Sequence, residues 1–322
     1  MREKDIPVTI IIPMHNSAST LQAVFRSLER QEYPVREVFV LDNNSSDDSA
    51  EITKKYAKNS KFKVRLIVHK KDMGLSYSYN EAMKQVKTPL VITLQSDCVI
   101  PGKKGIEILV KPFISDKKMV ASCSLQTTPW KVWRKYNFWQ KCLFSRHVGR
   151  VLSGRNGRFC CYSVAAMKKI GFFNTKAYRT AGEDGDAFYK LNEIGSIVDV
   201  GVVVDHLHST SNDFSLKTYI YKENQLAEAV GATMVNNLSR TSMMSWATAL
   251  IRPILIVGLF IPWIQWISLT LIVLFVFNFT KEVFLYNFRD IRIIALPFVN
   301  IYLIFSFTYY FVRGAITKRQ TL

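Results

Sequence analysis

The stretch Pro89-Leu-Val-Ile-Thr-Leu-Gln-Ser-Asp97 decides the fold, because an apolar run ends there in a carboxylate. Residues Leu90–Leu94 include β-branched side chains, which predicts a buried strand of a parallel sheet. In open α/β sheets, ligands bind outside the carboxyl ends of the strands, where Asp97 follows. A carboxylate at that place suits a divalent cation, which prefers oxygen ligands. For this residue taken alone, an Asp that caps the turn before Pro101-Gly102 is the alternative.

Strands and helices alternate over the first hundred residues. The predicted strands are Val8–Ile12, Glu37–Leu41, Val64–Val68 and Leu90–Leu94, with helices over Leu21–Arg30, over Ala50–Lys58 and from Gly74 to Lys87. This alternation predicts a parallel α/β sheet with right-handed crossovers. The sequence contains neither GxGxxG nor GxxxxGK(S/T), so it signals neither dinucleotide binding nor a P-loop.

Two stretches near the C-terminus, residues 253–280 and 293–312, carry no charged side chain. As a helix, each is long enough to cross the ~30 Å core of a bilayer, and each is apolar all round. We therefore predict transmembrane helices over Ile254–Asn278 and Ile293–Val312. Pro262 leaves an alternative in which the first stretch is a tight hairpin, which gives three helices in place of two.

The net charge is strongly positive, +18 at pH 7, and most of it lies before residue 246. Such a surface suits either nucleic acid or an anionic membrane, and the apolar helices favour the membrane over nucleic acid. The five cysteines are odd in number and have no CxxC spacing, which argues against a disulfide framework. The charged N-terminus lacks the apolar segment of a cleavable signal peptide. We expect an integral membrane protein whose N-terminal domain faces the cytosol.

Aromatic and basic residues are interleaved over residues 129–145, which begin Pro-Trp-Lys-Val-Trp-Arg-Lys-Tyr. This composition is found in interfacial membrane helices, in surfaces that stack nucleic-acid bases and in ordinary domain packing. Because membrane helices are predicted, we favour an interfacial helix, followed by packing, and place nucleic-acid binding last.

Four motifs occur in a fixed order along the predicted sheet. They are Ile-Ile-Pro13-Met-His15-Asn16, Asp42-Asn-Asn-Ser45-Ser-Asp47-Asp-Ser, Gly74…Asn80 and Leu-Gln95-Ser96-Asp97. Together they resemble the family 2 glycosyltransferases of the GT-A fold, over about residues 6–235. The resemblance implies a nucleotide-sugar-binding, Rossmann-like, mostly parallel sheet.

The same resemblance implies where the donor and a divalent cation, Mn²⁺ or Mg²⁺, are held. The residues that it places around the nucleotide-sugar are Pro13, His15, Asn16, Asp42, Ser45, Asn80, Ser96 and Asp97. Asp42 is expected to accept a hydrogen bond from the base, and Asp97 to be the metal ligand of the family's Asp-x-Asp motif. Three positions depart from the family pattern, because Gln95 replaces the first Asp of that motif, Asn44 a common Gly and Ser17 a frequent acidic residue.

Acidic residues cluster before a predicted helix in Thr180-Ala-Gly-Glu183-Asp184-Gly-Asp186. Acids at a helix N-terminus complement the helix dipole, but three in four residues exceed what that needs. The resemblance assigns Glu183 and Asp184 to the acceptor side as catalytic residues, with Asp184 as the general base. Like charges on Glu183 and Asp186 are expected to raise the pKa of Asp184, which favours proton abstraction.

Two further pairs of residues are candidates for the site. Arg155 and Arg158 lie in a basic loop and have the geometry to bind phosphate, although a solvated surface loop explains them equally well. His206 and His208 lie on one face of a predicted strand over Val202–His208. Since the family often has a metal-binding His at this place, we expect His206 to ligate the cation, with His208 as the alternative.

These features predict a membrane-anchored, inverting glycosyltransferase. The donor is a UDP-, GDP- or TDP-linked sugar, and the acceptor is a polyprenyl phosphate or another lipid-linked molecule at the cytosolic face. Residues 1–235 are the catalytic domain, 236–253 a juxtamembrane link and 254–322 the membrane region. A processive synthase fits less well because the chain has no Gln-x-x-Arg-Trp. The alternative is a catalytically degenerate GT-A domain that binds a nucleotide-sugar or scaffolds membrane partners, which Gln95 supports.

Overall fold

The computed structural model describes residues 5–208 and 214–322, which form two compact units. Within them, the first unit comprises residues 5–129, 149–175 and 183–208, and the second comprises 130–148, 176–182 and 214–322. The chain therefore leaves the first unit twice, joins the second and returns. This division differs from the predicted domain boundary at residue 235, because both excursions and the segment after residue 214 pack with the C-terminal helices.

A nine-stranded mixed sheet forms the centre of the first unit. Its strands are β1 (Val8–Met14), β2 (Val35–Asp42), β3 (Val64–Val68), β4 (Leu90–Leu94), β5 (Cys98–Val99), β6 (Met119–Thr127), β7 (Leu152–Ser153), β8 (Phe159–Ser163) and β9 (Ser196–His206). Their order is β3-β2-β1-β4-β8-β6-β9-β5, with β7 paired to β6. β1 to β4 are mutually parallel, β8 is antiparallel to both its neighbours, and β6 and β9 are parallel. The predicted α/β architecture is confirmed.

Helices α1 to α4, α7 and α8 belong to the first unit. The α-helices of the described residues are α1 (Ala18–Glu29), α2 (Ser49–Asn59), α3 (Leu75–Met83), α4 (Gly105–Ser115), α5 (Trp130–Trp133), α6 (Phe138–Phe144), α7 (Val164–Lys169), α8 (Glu183–Asn192), α9 (Leu216–Asn236), α10 (Met243–Gly258), α11 (Ile264–Phe279), α12 (Lys281–Tyr286) and α13 (Leu296–Thr317). Both faces of the sheet are buried, because Ile10 and Ile12 pack in one hydrophobic cluster and Ile11 in another.

The register of the parallel strands brings three loops to one edge of the sheet. Met14 at the end of β1 pairs with Asp42 at the end of β2. Ile11 pairs with Thr93, near the end of β4. The loops that follow β1, β2 and β4 therefore emerge side by side, at the edge where α/β sheets bind their ligands.

In the second unit, the uncharged stretch 253–280 is broken into α10 and α11. The turn between them contains Pro262, which cannot continue a helix, and Trp263, whose φ of +70° is left-handed. Close packing completes the hairpin, since a Cβ added to Gly258 would lie 2.1 Å from the Ser268 hydroxyl. The predicted continuous helix over Ile254–Asn278 is therefore wrong, and the hairpin alternative describes the observed helices.

The aromatic and basic stretch at residues 129–145 forms α5 and α6, two short helices in place of one. Trp133, Tyr136 and Phe138 are buried, and they belong to a hydrophobic cluster of the second unit that includes Phe279 and Leu296. The stretch therefore forms two helices in place of the single helix that we favoured, and its largest side chains pack inside the second unit.

Among the described residues, α13 alone combines the length and composition that would let a helix cross a membrane. It has 22 residues, and its most apolar window has a mean hydropathy of 1.2. α10 and α11 are also apolar, but each has only 16 residues. The predicted span at Ile293–Val312 thus overlaps a helix that is long enough.

Candidate active site

The strand end at Asp97 meets two histidines from β9. β5 and β9 are antiparallel, with Cys98 opposite His206, and the Leu207 N–H donates to the Asp97 carbonyl over 2.8 Å. One Asp97 carboxylate oxygen lies 3.3 Å from His206 Nε2 and 3.3 Å from His208 Nδ1. β9 ends at His206, so the predicted extension of the strand to His208 is wrong, but the turn still brings both rings to Asp97.

This cluster has the chemistry of a metal site. Its ligand atoms, one carboxylate oxygen and one nitrogen from each ring, all lie within 4.8 Å of one another. Burial opposes ionisation of Asp97, but His206, His208 and Arg158 hold its pKa below the usual value. Burial lowers the pKa of His206, although the Asp97 charge acts to raise it. An ionised carboxylate and a neutral imidazole are the forms that ligate cations, so the residues present fit a divalent ion.

The loops after β1 and β2 are joined by a network around Asn16. The Asn16 N–H donates to Ser45 Oγ over 3.0 Å, and the Ser46 N–H donates to Asn16 Oδ1 over 2.8 Å. The Ser45 N–H in turn donates to Asp42 Oδ1 over 2.9 Å. The structure thus brings three predicted nucleotide-binding residues together, with Asp42 buried beneath the loop at 2% exposure.

Left-handed backbone shapes this network. Asn16 has a φ of +49° and Asn44 a φ of +62°. Apart from glycine, asparagine is among the residues that best tolerate this conformation. Asn44 therefore takes the turn that the family commonly builds with Gly, and this departure from the family pattern leaves the loop conformation available.

The loop after β4 is tied to the first loop through Ser96. Its hydroxyl shares a 2.8 Å hydrogen bond with Ser17 Oγ, and its carbonyl accepts from Thr20 Oγ1 over 2.7 Å. Ser17, which stands where the family often has an acid, therefore contacts a predicted donor-site residue. Pro13 is buried within β1 just before this loop.

Asn43 is a residue of this edge that our reading of the sequence did not single out. Its carbonyl lies 2.9 Å from His15 Nδ1. Its side-chain oxygen accepts from the Met73 N–H over 2.8 Å and lies 3.1 Å from His69 Nδ1, while its amide donates to Asp72. The signal was present, since Asn43 lies within the Asp-Asn-Asn motif after β2.

Asn80, predicted to bind the nucleotide, is engaged elsewhere. Its side-chain amide donates to the Phe173 carbonyl over 2.8 Å, and its side-chain oxygen accepts from the Phe173 N–H over 3.0 Å. The Asn80 side chain is 9% exposed, and its two hydrogen bonds join α3 to the segment after α7. The structure does not bring it into the Asp97 cluster.

The carboxylate pair Glu183 and Asp184 begins α8. Burial and the neighbouring Asp184 charge raise the pKa of Glu183 to about 8. Burial also raises the pKa of Asp184, but a 2.7 Å hydrogen bond from the Gly185 N–H and the charge of Arg158 oppose that increase. The pair therefore keeps a proton to a higher pH than an isolated carboxyl would, and the Gly185 N–H and Arg158 favour Asp184 as its ionised member.

Arg158 connects the two acidic groups electrostatically, since it acts on the pKa of both Asp97 and Asp184. Its guanidinium donates to Gln126 Oε1 on β6. Arg155 takes a different place, because its Nε lies 3.1 Å from the Asp199 carboxylate and it is about half exposed. Of the two predicted phosphate-binding arginines, only Arg158 is brought to the cluster.

The cause that we predicted for the raised pKa of Asp184 is wrong in part. Asp186 forms a 2.5 Å ion pair with Lys190 one helical turn later, so its charge is compensated. Burial supplies the effect in its place. Two buried tyrosines that we did not predict lie in the field of the acidic pair, because Glu183 raises the pKa of Tyr79 and Asp184 that of Tyr162, each in addition to burial.

Curated relatives match part of the chain. It is 33% identical over 183 residues to the poly-beta-1,6-N-acetyl-D-glucosamine synthase of Staphylococcus epidermidis, a match that covers 52% of this chain and 42% of that protein. It is 34% identical over 90 residues to the cholesterol galactosyltransferase of Borreliella burgdorferi, covering 28% of this chain and 25% of that protein. The chain thus spans less than half the length of either relative.

Solved structures share the fold. The mannosyltransferase PcManGT of Pyrobaculum calidifontis, determined with GDP-Man and Mn²⁺, superposes with a TM-score of 0.60 at 14% identity, over 98% of this chain and 87% of that one. At that identity the likeness shows the fold alone. The family model described as Glycosyl transferase family 2 matches residues 9–172, just over half of the chain. The chain therefore belongs to glycosyl transferase family 2.

Proposed function

We propose that this glycosyltransferase moves a sugar from a nucleotide-sugar to a membrane-held, lipid-linked acceptor, with inversion at the anomeric carbon and with a divalent cation. The observation that carries the proposal is that the charge of Arg158 acts on two acidic centres. One is the metal-ligating set at Asp97, and the other is the Glu183–Asp184 pair. The first suits the diphosphate of a donor, and the second suits the hydroxyl of an acceptor.

The donor lies against the carboxyl edge of the parallel strands. The hydrogen-bonded loops of Asn16, Ser45 and Ser96 form a polar rim there, and Asp42, which lies beneath the rim, is the residue that we expect to accept a hydrogen bond from the base. His15 is exposed beside this rim. The GDP-Man that the Pyrobaculum mannosyltransferase holds on the same fold supports a nucleotide-sugar here. The base is that of UDP, GDP or TDP.

Asp97 and His206 would hold the cation, with His208 as a third ligand. Two imidazole nitrogens favour Mn²⁺ over Mg²⁺, because Mg²⁺ prefers oxygen ligands and retains its water. When bound, the cation offsets negative charge on the departing nucleoside diphosphate. Because Gln95 replaces the first Asp of Asp-x-Asp, the site has one carboxylate ligand, and the two histidines supply the remaining protein ligands.

Asp184 takes the proton from the acceptor. Burial and the Asp184 charge favour the protonated form of Glu183, whereas the Gly185 N–H and Arg158 favour the ionised form of Asp184, so Asp184 is the member that accepts the proton. The Arg158 charge favours the ionised form of Asp184 before transfer. The same guanidinium provides a positive charge near the diphosphate of the donor. Attack by the acceptor oxygen on the face opposite the departing diphosphate gives a single displacement, which inverts the anomeric configuration.

A membrane-held acceptor is supported by the apolar helices of the second unit. α10, α11, α13 and the turn between α10 and α11 expose large apolar side chains. Among them are Phe260 and Trp263 of the turn and Phe298 of α13, which are 81%, 87% and 72% exposed. Such a surface suits a bilayer in which a lipid-linked substrate resides. The similarity over 90 residues to a cholesterol galactosyltransferase also supports a lipid acceptor.

The test is a titration of the full chain in detergent with UDP, GDP and TDP, each with Mn²⁺ and with EDTA. We expect one nucleotide to bind in a metal-dependent manner, and its sugar derivative to be the donor. Binding that EDTA leaves unchanged would remove the cation from the proposal. A chain that binds none of the three would support the alternative of a degenerate GT-A domain with a scaffolding role.

A second candidate is a polymerising synthase, favoured by the similarity to poly-beta-1,6-N-acetyl-D-glucosamine synthase. Product length separates the two candidates. With acceptor in excess over donor, a single-transfer enzyme gives products one sugar longer, whereas a processive enzyme gives long chains beside unused acceptor.

A further inference from the structure

We propose that the second unit is a monotopic anchor. The α10–α11 hairpin enters one leaflet of the bilayer and returns to the side of the first unit, which carries the candidate active site and is called the catalytic unit below. α13 lies in the plane of the membrane–water interface. In this arrangement no segment within residues 5–208 and 214–322 crosses the bilayer. The inference rests on the membrane attachment included in the proposed function, and it replaces the two crossings that the sequence predicts.

The first argument concerns the segment between α11 and α13. With two crossings, residues 281–292 would lie across the membrane from the catalytic unit. In the structure the Tyr286 ring packs on the Trp130 ring with 4.9 Å between centroids, and the Glu282 N–H donates to Ser145 Oγ over 3.2 Å. Trp130 directly follows Pro129 of the first unit, and the chain returns to that unit after Val148. Residues 281–292 therefore lie on the catalytic side.

The second argument places the end of α13 on the same side. The Gln320 N–H donates to the Ala177 carbonyl over 2.7 Å, and the Thr180 N–H donates to Gln320 Oε1 over 3.0 Å. Residues 176–182 are a short excursion, flanked on both sides by chain of the first unit. Both ends of α13 are thus held on one side of the membrane, so this helix cannot cross, although its length would allow it.

The third argument is what α13 packs against. It runs alongside α9, with Ser306 donating to Asn224 over 2.5 Å near its middle and Arg313 3.4 Å from Glu228 near its end. The two backbones touch, because a Cβ added to Gly314 would lie 2.1 Å from the Glu228 carbonyl. α9 carries four charged side chains and is no membrane span. A helix that follows α9 along its length stays at the interface.

The opposite face of α13 is an apolar stripe suited to that position. Its exposed large side chains recur every three or four residues and so lie along one side of the helix. They are Phe298, Ile301, Tyr302, Phe305, Tyr309, Val312 and Ile316. The other face is packed inside the unit, with Leu303, Ile304 and Phe311 buried beside Asn300 and Ser306. A helix that packs on one side and exposes an apolar stripe on the other is suited to lie in the plane of a membrane.

The depth of the hairpin fits one leaflet. Arg252, the last charged residue of α10, lies over the Phe275 ring at 5.0 Å and over the Phe307 ring at 3.9 Å. We take these contacts to mark the depth at which the hairpin enters the hydrocarbon core. From Arg252 to Gly258 six residues rise about 9 Å, and from Phe275 to Ile264 eleven residues rise about 17 Å. Both are near or below half of the ~30 Å hydrocarbon core. The tip, Leu259–Trp263, then ends near the bilayer centre.

Charge on the second unit complements an anionic leaflet. Several of its lysines and arginines are exposed in the segments that flank the apolar surface. They are Lys131, Arg134, Lys135, Lys281, Arg289, Lys318 and Arg319. Basic side chains at this level attract anionic headgroups, with an energy of roughly 1 kcal/mol each. The partner of this surface is therefore one leaflet of a bilayer that contains anionic lipid.

The test is cysteine accessibility in the full chain, in sealed membrane vesicles of one orientation. The five native cysteines are buried, so the variants Lys58→Cys, Arg289→Cys and Phe260→Cys supply the reactive thiols. Lys58 is an exposed residue of α2 and serves as the matched control for the catalytic side. We expect a membrane-impermeant maleimide to label Lys58→Cys and Arg289→Cys in the same vesicles, and Phe260→Cys only after detergent is added.

Each other outcome overturns the proposal. Labelling of Arg289→Cys only in vesicles where Lys58→Cys is protected would restore the two crossings. Labelling of Phe260→Cys from the side opposite Lys58→Cys would show that the hairpin spans, and labelling from the same side would place it in water. The experiment reads neither nucleotide binding nor transfer, so failure of the proposed function leaves this result standing.

Discussion

The buried proton on Glu183 makes the stability of the first unit depend on pH. Folding raises the pKa of this carboxyl from 4.5 to about 8, because it is buried and lies beside Asp184. Between these two values the folded state binds more protons than the unfolded state. The stabilisation that Glu183 contributes is therefore complete below pH 4.5 and is lost as the pH rises towards 8. The loss is about 1.4 kcal/mol per pH unit, or about 4 kcal/mol between pH 5 and 8. Glu183→Gln, which cannot ionise, removes this slope.

The assay is differential scanning calorimetry of the full chain in detergent between pH 5 and 9. Tryptophan fluorescence would not serve, because all six tryptophans lie in the second unit. For a unit of this size, 4 kcal/mol corresponds to a fall in Tm of roughly 10 °C. Glu107→Gln, which removes an exposed carboxylate of the same unit, is the control and keeps the wild-type slope. Parallel profiles for wild type and Glu183→Gln would refute the assignment of the buried proton.

Three further changes test the site residue by residue. Asp184→Asn should lower transfer by about 10²- to 10⁴-fold while nucleotide affinity stays unchanged, and wild-type turnover would remove Asp184 as the base. Asp97→Ala should reduce nucleotide affinity in Mn²⁺ to the level that the wild type shows in EDTA, as calorimetric titration measures; an unchanged difference between Mn²⁺ and EDTA would contradict its role as a ligand. Asn44→Ala should cost about 1 to 2 kcal/mol in the left-handed turn, and Asn44→Gly should be nearly neutral in thermal unfolding; equal losses would show that the Asn44 side chain, rather than its backbone, matters.

Much of the first unit could be predicted because its signals are local. The strand Leu90–Leu94 was predicted at its observed bounds, and Val64–Val68 likewise. Alternating apolar runs and turn residues act over short stretches of chain, so they specify parallel strands without knowledge of the rest. The meeting of Asp97 with a histidine of β9 was expected from the family resemblance, whereas spacing alone gave only a shared face for the two histidines.

Charges within the site were harder to predict, because their pairing depends on the fold. Asp186 lies in the sequence beside Asp184, but one helical turn brings Lys190 to it, and the pair cancels. Arg155 and Arg158 are equivalent in the sequence, yet Asp199 holds the first at the surface while Gln126 holds the second. Residues far apart in the sequence, such as Arg155 and Asp199, are adjacent in the fold. Their separation in the sequence therefore does not predict which charges interact.

The predicted membrane region shows the same limit on a larger scale. Hydropathy measures whether a helix suits lipid, and by that measure 253–280 and 293–312 are two spans. Topology also depends on what the helix ends are tied to, and those ties are contacts such as Trp130 with Tyr286, 156 positions apart. An apolar helix with both ends bound to chain on one side of the membrane has no route across it. A hydropathy profile therefore predicts lipid contact here, but the number of crossings follows only from the packing.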